Sequence, residues 1–310
     1  TTIAFPPARC AALTEAVDYG TYQQLVLIGN FAIGVLTLGL PASIYYFYSN
    51  VSSERRPALI VQTSLVLGVS GILASTAIFL GAQAIADILN NPKLVELLSF
   101  YAFAIAFMLA SEHCFVFMIA QNRYAQAVVF EVIETFVRVL ILLAPLWFGY
   151  GIMGLVIGTV LYAALRFVLR SAYMFGSADV RFSGWSKSLF AFEQLAYSVP
   201  IALGTLIAIV GGVINRGLIA ASFSPADYAI YAVGTLEIPL DVIFQASVAT
   251  VLRASLPSLV RDGNLAEVVR IIREAVRKLS LVMLPSFIFL LGYSHEFITV
   301  LFTSRYEESV

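Results

Sequence analysis

The sequence predicts an all-α fold, a polytopic membrane helix bundle with about eight transmembrane helices in two pseudo-symmetric lobes. Of the 310 residues, 60% are hydrophobic and 12% are charged, whereas soluble domains average about 45–50% and about 25%. Apolar stretches of transmembrane length recur along the whole chain. Within them apolar residues occupy consecutive positions, as in residues 201–214, which excludes the alternating strands of a membrane barrel.

Eight apolar segments are long enough to cross the roughly 30 Å hydrocarbon core as helices. Because a backbone in lipid must satisfy its own hydrogen bonds, each segment is expected to be helical. Residues 264–278 have basic side chains on one helical face and apolar ones on another, which predicts an amphipathic helix that binds anionic headgroups or simply rests at the interface. The eight predicted spans are residues 22–48, 58–82, 95–120, 124–147, 150–174, 190–220, 227–252 and 276–294.

The basic residues predict the orientation of the bundle, because short cytoplasmic loops carry an excess of Lys and Arg. Most of the 18 basic residues fall on one side of the predicted membrane, whereas the other side holds only Lys93 and Arg305. We therefore expect residues 222–227 to be external. The basic, cytoplasmic set contains Arg55, Arg56, Arg123, Arg166, Arg170, Arg181, Lys187 and the basic residues of 253–278.

A short internal repeat predicts that the two lobes are parallel copies. Residues 18–22 (DYGTY) open the first span and residues 227–231 (DYAIY) open the seventh, both at the external surface. A chance match between two Tyr-containing interface turns is the alternative. The predicted organisation is an external stub at residues 1–20 that is the remnant of a missing first helix, an N-terminal lobe of five spans at 21–176, a cytoplasmic linker at 177–188 and an incomplete C-terminal lobe of three spans plus helix 264–278 at 189–310.

Composition and motifs exclude several classes of function. A net charge of -1 disfavours nucleic acid as a partner. Two cysteines, Cys10 and Cys114, supply no metal cluster and at most one disulfide. The chain contains no nucleotide-binding loop and no nucleophile elbow, so we expect neither ATP-driven pumping nor soluble-type catalysis, and no resident cofactor or metal.

Three stretches carry a resemblance to a known family: DYGTYQQL and LGLPASIYYF within residues 18–47, the QNRY turn at 121–124, and the run at 198–240. They are similar to the polysaccharide-unit flippases of the multidrug/oligosaccharidyl-lipid/polysaccharide exporter superfamily. The ending VLFTSRYEESV, residues 300–310, is similar to the segment that leads into that family's tenth span. The resemblance extends over essentially the whole chain.

The resemblance implies a bundle of twelve to fourteen helices in two six-helix lobes, of which this chain holds helices two to nine. Members open alternately to each side of the plasma membrane and move an oligosaccharide on a polyprenyl diphosphate to the outer leaflet. The chain departs from the family pattern at Asn215-Arg216, where Asp-Arg is common, and at residues 45–47, where an Arg is common. The resemblance therefore does not decide whether these positions contact the diphosphate headgroup.

Ionic residues inside the predicted spans indicate a polar passage, since each one at the bilayer centre costs about 2.5–3.5 kcal/mol. Tyr124, Glu131, Glu134 and Arg138 form one stripe of a helix. One interpretation places Arg138 against a diphosphate or an acidic sugar, because guanidinium forks onto phosphate oxygens. The alternative is an i,i+4 pair between Glu134 and Arg138 that holds two helices in register.

Three further sites carry two interpretations each. Arg216, next to Asn215 near the outer surface, either binds an anion or extends to water. Glu112 and His113 form a proton relay or bond to neighbouring helices. The third site is the series Glu237, Asp241 and Gln245, which steps by four residues and forms either a Na⁺ or H⁺ site or ion pairs with another helix.

The leading hypothesis from the sequence is an alternating-access flippase for a lipid-linked oligosaccharide in a bacterial or archaeal inner membrane. A Na⁺- or H⁺-coupled multidrug antiporter stays open because intramembrane acids outnumber bases, as does a membrane-embedded glycosyl or acyl transferase. Expected partners are membrane lipids, glycosyltransferases and a polysaccharide polymerase. The predicted substrate-binding residues are Arg138, Arg216, Glu131, Tyr124 and Asn215, and the predicted ion-coupling or charge-balancing residues are Glu134, Glu237, Asp241, Gln245 and Glu112.

The predicted orientation is testable with reporter fusions. A periplasm-active reporter inserted at residues 222–227 should be active, and the same reporter inserted at residues 177–188 should be silent, because the second connector lies on the basic side. A reporter that matures only in the cytoplasm should show the opposite pattern, and cytoplasmic fluorescence from residues 222–227 would reverse the assignment.

Overall fold

The computed structural model describes residues 15–176, 190–235 and 264–302, together with residues 241, 244, 245, 248, 252 and 259. These residues are almost entirely helical, which confirms the all-α class. Among them, six helices are long and apolar enough to cross a membrane, so the chain is a multi-pass membrane protein. The six are Ala16–Asn50, Arg56–Ile88, Leu94–Ala120, Gly151–Gly176, Ala191–Ser222 and Leu265–Val300.

Several helices end where polar residues or glycines interrupt the apolar runs. In chain order they are α1 (Ala16–Leu36), α2 (Leu40–Asn50), α3 (Arg56–Ile88), α4 (Leu94–Ser111), α5 (Cys114–Ala120), α6 (Tyr124–Trp147), α7 (Gly151–Gly176), α8 (Ala191–Ser222), α9 (Pro225–Gly234) and α10 (Leu265–Phe302).

Two of the eight predicted spans are not among the six, for different reasons. Helix α6 coincides with predicted span 124–147, but any stretch of it long enough to cross a membrane contains Glu131, Glu134 and Arg138. Predicted span 227–252 falls largely outside the described residues, and only its first turns are seen, in α9. The packing of α6 against its neighbours therefore decides how three ionic side chains are accommodated.

The first predicted span is two helices, α1 and α2, because the backbone reverses its handedness between them. Leu38 and Gly39 have φ angles of 52° and 67°, in the left-handed region that interrupts a helix. A Cβ at Gly39 would lie 2.6 Å from the carbonyl oxygen of Ser198 on α8. Gly39 is thus required both by its own backbone angle and by the close approach of α8.

The last described helix joins two elements that the sequence separated. Residues 264–278 were predicted to be an amphipathic helix distinct from span 276–294, but α10 runs through both. No Gly or Pro occurs between Arg270 and Leu284 to end the helix. The first non-helical backbone angle inside α10 is at Tyr293 (φ -131°, ψ 20°).

The described residues up to Ala229 form one compact unit, and those from Ile230 onward belong to a second. In the first unit α4 is central, because it packs against α1, α3 and α7. Its buried side chains include Leu94, Leu98 and Ile105. The predicted lobe boundary at residues 177–188 lies outside the described residues and stays a prediction.

A buried amide network joins α8 to α2 and α3. Gln194, 1% exposed, accepts a hydrogen bond from Gln62 Nε2 at 2.7 Å. Its own Nε2 donates to Ser43 Oγ and to Thr63 Oγ1, both at 3.0 Å. Because each amide atom has a partner, these groups tolerate an apolar surrounding and fix the position of α8 on the first unit.

The contact between α3 and α4 should tolerate no side chain at Gly71. A Cβ there would lie 2.8 Å from the carbonyl oxygen of Ala106, whereas Gly68, one turn earlier, has nothing within 4 Å. Gly71→Ala should cost about 1–3 kcal/mol through overpacking. Gly68→Ala should be neutral or stabilising by up to about 1 kcal/mol, because Ala is the better helix former.

Thermal unfolding of the two variants in detergent measures this difference. The melting temperature should fall for Gly71→Ala and stay level or rise for Gly68→Ala. Equal melting temperatures would contradict the close packing of α3 on α4.

Candidate functional site

Five ionic side chains form a cluster between α6, α7 and the break that separates α4 from α5. We call this set, Glu112, Glu131, Glu134, Arg166 and Arg170, the ionic cluster. The side chains of Arg170 and Glu134 at its centre are 3% and 6% exposed. Charges buried this deeply are tolerated only when they are paired and hydrogen-bonded.

Arg170 binds the two glutamates of α6. Its Nε and Nη2 donate to the two oxygens of Glu134 at 2.9 Å and 2.6 Å, a bidentate arrangement. Nη2 also donates to Glu131 Oε1 at 2.9 Å, and Nη1 donates to the Ser111 carbonyl oxygen at 3.3 Å. The guanidinium therefore connects α7, α6 and the end of α4 through charge-assisted hydrogen bonds.

Arg166 completes the cluster one turn away on α7. Its Nη2 donates to Glu112 Oε2 at 2.9 Å, and its Nε lies 3.8 Å from Glu134 Oε2. Glu112 is one of the two residues at which the predicted third span breaks into α4 and α5. The break thus brings a third carboxylate within reach of α7.

The structure corrects the placement of Arg166 and Arg170. The sequence analysis counted both with the cytoplasmic connectors, but α7 continues to Gly176, and both side chains are buried against α6. Arg170 lies six residues from the end of α7, about 9 Å along the helix axis. The remaining Lys and Arg residues keep the same asymmetry, so the predicted orientation is unchanged.

The proposed i,i+4 pair between Glu134 and Arg138 is wrong, because Glu134 binds Arg170 and Arg166 instead. Arg138 takes part in none of the ion pairs formed by the described residues. Its guanidinium carbon lies 5.8 Å from the centre of the Tyr162 ring, within the range of a cation–π contact.

The balance of acids and bases also changes with these assignments. In α6, α7 and the α4–α5 break, Glu112, Glu131 and Glu134 are matched by Arg138, Arg166 and Arg170. Acids and bases are therefore equal in number in this part of the chain, and the excess of acids expected over all the predicted spans stays a prediction. All three carboxylates have an arginine partner from α7.

Glu112 and His113 bond to two different neighbouring helices, which is the alternative to a proton relay that the sequence left open. Glu112 accepts from Arg166 on α7, whereas His113 Nε2 lies 2.8 Å from Ser64 Oγ on α3. Ser64 Oγ also contacts the Ile60 carbonyl oxygen at 2.8 Å, which holds the hydroxyl beside the His113 ring. Its Nδ1 is buried without a hydrogen-bond partner in the described part of the chain.

The other predicted substrate-binding residues lie at the ends of their helices. Tyr124 begins α6 and is 55% exposed, and its hydroxyl donates to Asn122 Oδ1 at 2.8 Å. Asn215 and Arg216 are exposed in the last third of α8. Among the described residues, no hydrogen bond or ion pair connects Tyr124, Asn215 or Arg216 with Arg138.

The predicted cation site is described only in part. Ser286 Oγ of α10 donates to Asp241 Oδ1 at 3.2 Å, and Gln245 is exposed. Glu237 lies outside the described residues. Among the residues that are described, no group of three or more His, Cys, Asp or Glu side chains is arranged to hold a metal ion, and the predicted Na⁺ or H⁺ coupling stays a prediction.

Sequence analysis missed Arg166 and Arg170 as partners of the glutamates. The signal was available: the two arginines are one helical turn apart inside predicted span 150–174, and Glu131 and Glu134 are similarly spaced in the span before it. Antiparallel neighbours with a short connector place such residues at the same depth.

Comparison with known proteins agrees with this architecture. A family model described as polysaccharide biosynthesis protein matches residues 11–310. The chain belongs to the polysaccharide biosynthesis protein family. No curated protein matches the chain.

One solved structure shows the same fold. It is described as the inward-facing conformation of a multidrug resistance MATE family transporter of the MOP superfamily. The two align with a TM-score of 0.77 and 10% sequence identity, over 99% of this chain and 75% of that one. At this identity the likeness establishes the fold and leaves the substrate open.

The ionic cluster should be essential for stability. Arg170→Ala leaves Glu134 buried without its bidentate partner and should cost about 3–5 kcal/mol. The double variant Arg170→Met/Glu134→Met should recover most of that loss, because an apolar replacement of a buried pair is often neutral.

Arg270→Ala is the matched control, because Arg270 also pairs with a glutamate, Glu267, but is 63% exposed. Its cost should be small, because exposed ion pairs contribute little to stability. Melting temperatures in detergent compare the three variants, and similar losses for Arg170→Ala and Arg270→Ala would contradict the burial of the cluster.

Proposed function

We propose that this protein is an alternating-access flippase that moves a lipid-linked oligosaccharide across the inner membrane of a bacterium or archaeon. The observation that supports the proposal is that Arg138 lacks a carboxylate partner among the described residues. Glu131 and Glu134, which share a face of α6 with Arg138, both pair with Arg170 of α7. Arg138 itself has no carboxylate partner in the described part of the chain. A membrane helix therefore keeps one positive charge available for an anionic ligand.

Arg138 lies near the middle of α6. It is fourteen residues from Tyr124, at the predicted cytoplasmic end of α6, which corresponds to about 21 Å along the helix axis. A cation at this depth is expensive unless it faces water, protein or an anion. A diphosphate that passes through the bundle would supply the missing negative charge, and guanidinium matches phosphate oxygens in geometry as well as charge.

The family and the fold both support a transport step in the assembly of glycans. Membership in a polysaccharide biosynthesis family supports a role in the assembly of glycans, and the fold is shared with a transporter. Glycan assembly on a lipid carrier requires transfer of a charged headgroup across the bilayer, which is a translocation without a change in covalent bonds. We therefore infer a transporter and not an enzyme, working with the glycosyltransferases and polymerase that make and extend the sugar.

The predicted roles of the other residues follow from their positions. Arg216 and Asn215 are exposed toward the predicted external end of α8 and would receive the headgroup after it has passed Arg138. Glu131, with a side chain 44% exposed, would contact sugar hydroxyls with the oxygen that Arg170 leaves free. Asp241 and Gln245, with Glu237, would supply coupling to Na⁺ or H⁺.

Arg138→Ala should lower transport of a lipid-linked oligosaccharide by between about 10-fold and 100-fold, which corresponds to loss of a charge-assisted bidentate contact. Arg138→Lys keeps the charge but loses the fork and should retain an intermediate rate. Transport is measured in proteoliposomes with a fluorescent lipid-linked sugar, and export of surface glycan is measured in cells.

Leu140→Ala, at a 69% exposed position of the same helix, is the control and should transport normally. Undiminished transport by a stably folded Arg138→Ala variant would remove the assignment. If the protein instead protects cells from cationic dyes and Arg138→Ala leaves that protection intact, the antiporter is the correct function.

A further inference from the structure

A polar pocket lies at the predicted cytoplasmic ends of α2, α3 and α5, apart from Arg138 and from the ionic cluster. Its volume is about 380 Å³, which is within the range of small-molecule sites. The turn between α5 and α6 lines one side of it, and the last turn of α2 and the first residue of α3 line another. The pocket is lined by Tyr45, Tyr48, Ser49, Arg56, Gln121 and Asn122.

Arg56 is held in the pocket by the ring of Tyr48. Its guanidinium carbon lies 4.7 Å from the centre of that ring, a cation–π contact that leaves the in-plane N–H groups free. Nε of Arg56 is buried and has no hydrogen-bond partner among the described residues. A buried, unpaired donor on a cation is costly, and an anionic acceptor would relieve that cost.

The support beneath this arginine is rigid. Tyr48 packs edge-on against Phe117, with ring centres 6.3 Å apart. Both belong to a buried apolar cluster that also contains Ile44, Leu59 and Met118. The position of the Arg56 guanidinium is therefore set by the core and not by the exposed connector, as expected of a preformed binding site.

The remaining walls offer neutral donors and acceptors. Ser49 Oγ donates to the Tyr45 carbonyl oxygen at 2.9 Å and accepts from Asn50 Nδ2 at 3.5 Å, which leaves one lone pair for a ligand. Asn122, in the left-handed conformation with φ 60°, accepts from Tyr124 through Oδ1, which leaves its amide N–H groups to donate. The lining residues, all within the described part of the chain, include no carboxylate.

These features match one chemical class of ligand. A fixed guanidinium without a competing carboxylate favours a phosphate group. Hydroxyl and amide groups suit the hydroxyls of a sugar, and the half-exposed ring of Tyr45 supplies a flat apolar face for sugar C–H groups. The volume is sufficient for one sugar and one phosphate, and the pocket lies on the side of the membrane where Lys and Arg predict the cytoplasm.

We propose that this pocket binds a sugar phosphate headgroup at the cytoplasmic surface, before the headgroup reaches Arg138. The inference rests on the proposed function for the source of the ligand, a sugar linked through diphosphate to a membrane lipid. Arg56 binds the phosphate, Ser49 and Asn122 bind the sugar, and Tyr48 fixes the direction of Arg56. Tyr124 contributes indirectly, because it orients Asn122.

The test measures binding to the full chain in phosphatidylcholine nanodiscs with two probes. One is N-acetylglucosamine 1-phosphate, and the other is the same sugar on a polyprenyl diphosphate. Arg56→Gln should weaken binding of both probes by at least about 10-fold, since it removes a charge-assisted contact, and Arg56→Lys should weaken it less. Arg55→Gln is the control, because Arg55 is adjacent and exposed but does not line the pocket, and its affinity should stay within about twofold of the wild type.

The outcomes separate the pocket from the transport function. Tighter binding of the lipid-linked probe than of the soluble one, with both dependent on Arg56, assigns the lipid-linked source. Equal affinities with the same dependence on Arg56 assign the sugar phosphate alone. Both results support the pocket.

Equal losses in Arg56→Gln and Arg55→Gln would overturn the proposal, as would displacement of the soluble probe by phosphatidylglycerol in the nanodisc, which would assign the pocket to bulk lipid. If the wild type binds through Arg56 but moves no lipid-linked sugar in proteoliposomes, the proposed function fails and the pocket stands. If it transports but Arg56→Gln binds both probes normally, the pocket alone is wrong. Melting temperatures of the Arg56 variants confirm that each is folded.

Discussion

The bidentate pair between Arg170 and Glu134 is the interaction on which the first unit depends. Two glutamates lie in α6 and a third at the break between α4 and α5, and an unpaired ion among apolar neighbours would be prohibitively costly. Two arginines from α7 remove that cost by binding all three carboxylates and the Ser111 carbonyl oxygen. The pairs explain why α6 can lie inside a membrane protein despite its three ionic residues, and why α4 breaks at Glu112, where a carboxylate has to turn toward α7.

That neutralisation also determines which charge is left to act on a ligand. Had Glu134 paired with Arg138 along α6, Glu131 would still require a partner from another helix. Because α7 supplies the partners instead, Arg138 contacts the Tyr162 ring and forms no ion pair among the described residues. This assignment follows from helix packing between α6 and α7, and it is the basis on which the proposed function gives Arg138 an anionic ligand.

Polar groups in this protein are used in two distinct ways. Where both partners come from the protein, as in the ionic cluster and in the Gln194 network, they fix helices against each other and leave nothing for a ligand. Where a polar group is held in place but keeps free donors, as with Arg56 above Tyr48, it is suited to binding. Burial alone therefore does not identify a functional residue in the membrane. The presence or absence of a partner does.

The sequence by itself determined that the chain is an all-α membrane protein, where most of its helices lie, and which ionic residues require an explanation, because hydrophobic periodicity and the cost of charges in lipid act locally along the chain. It also placed Glu131, Glu134 and Arg138 on one face of α6. Only the tertiary structure decided their partners, since the choice between Arg138 on the same helix and Arg170 on the next depends on the depth and rotation at which α6 and α7 pack. The breaks at Gly39 and Glu112, and the pocket around Arg56, likewise depend on contacts between segments far apart in the chain, which no local pattern encodes.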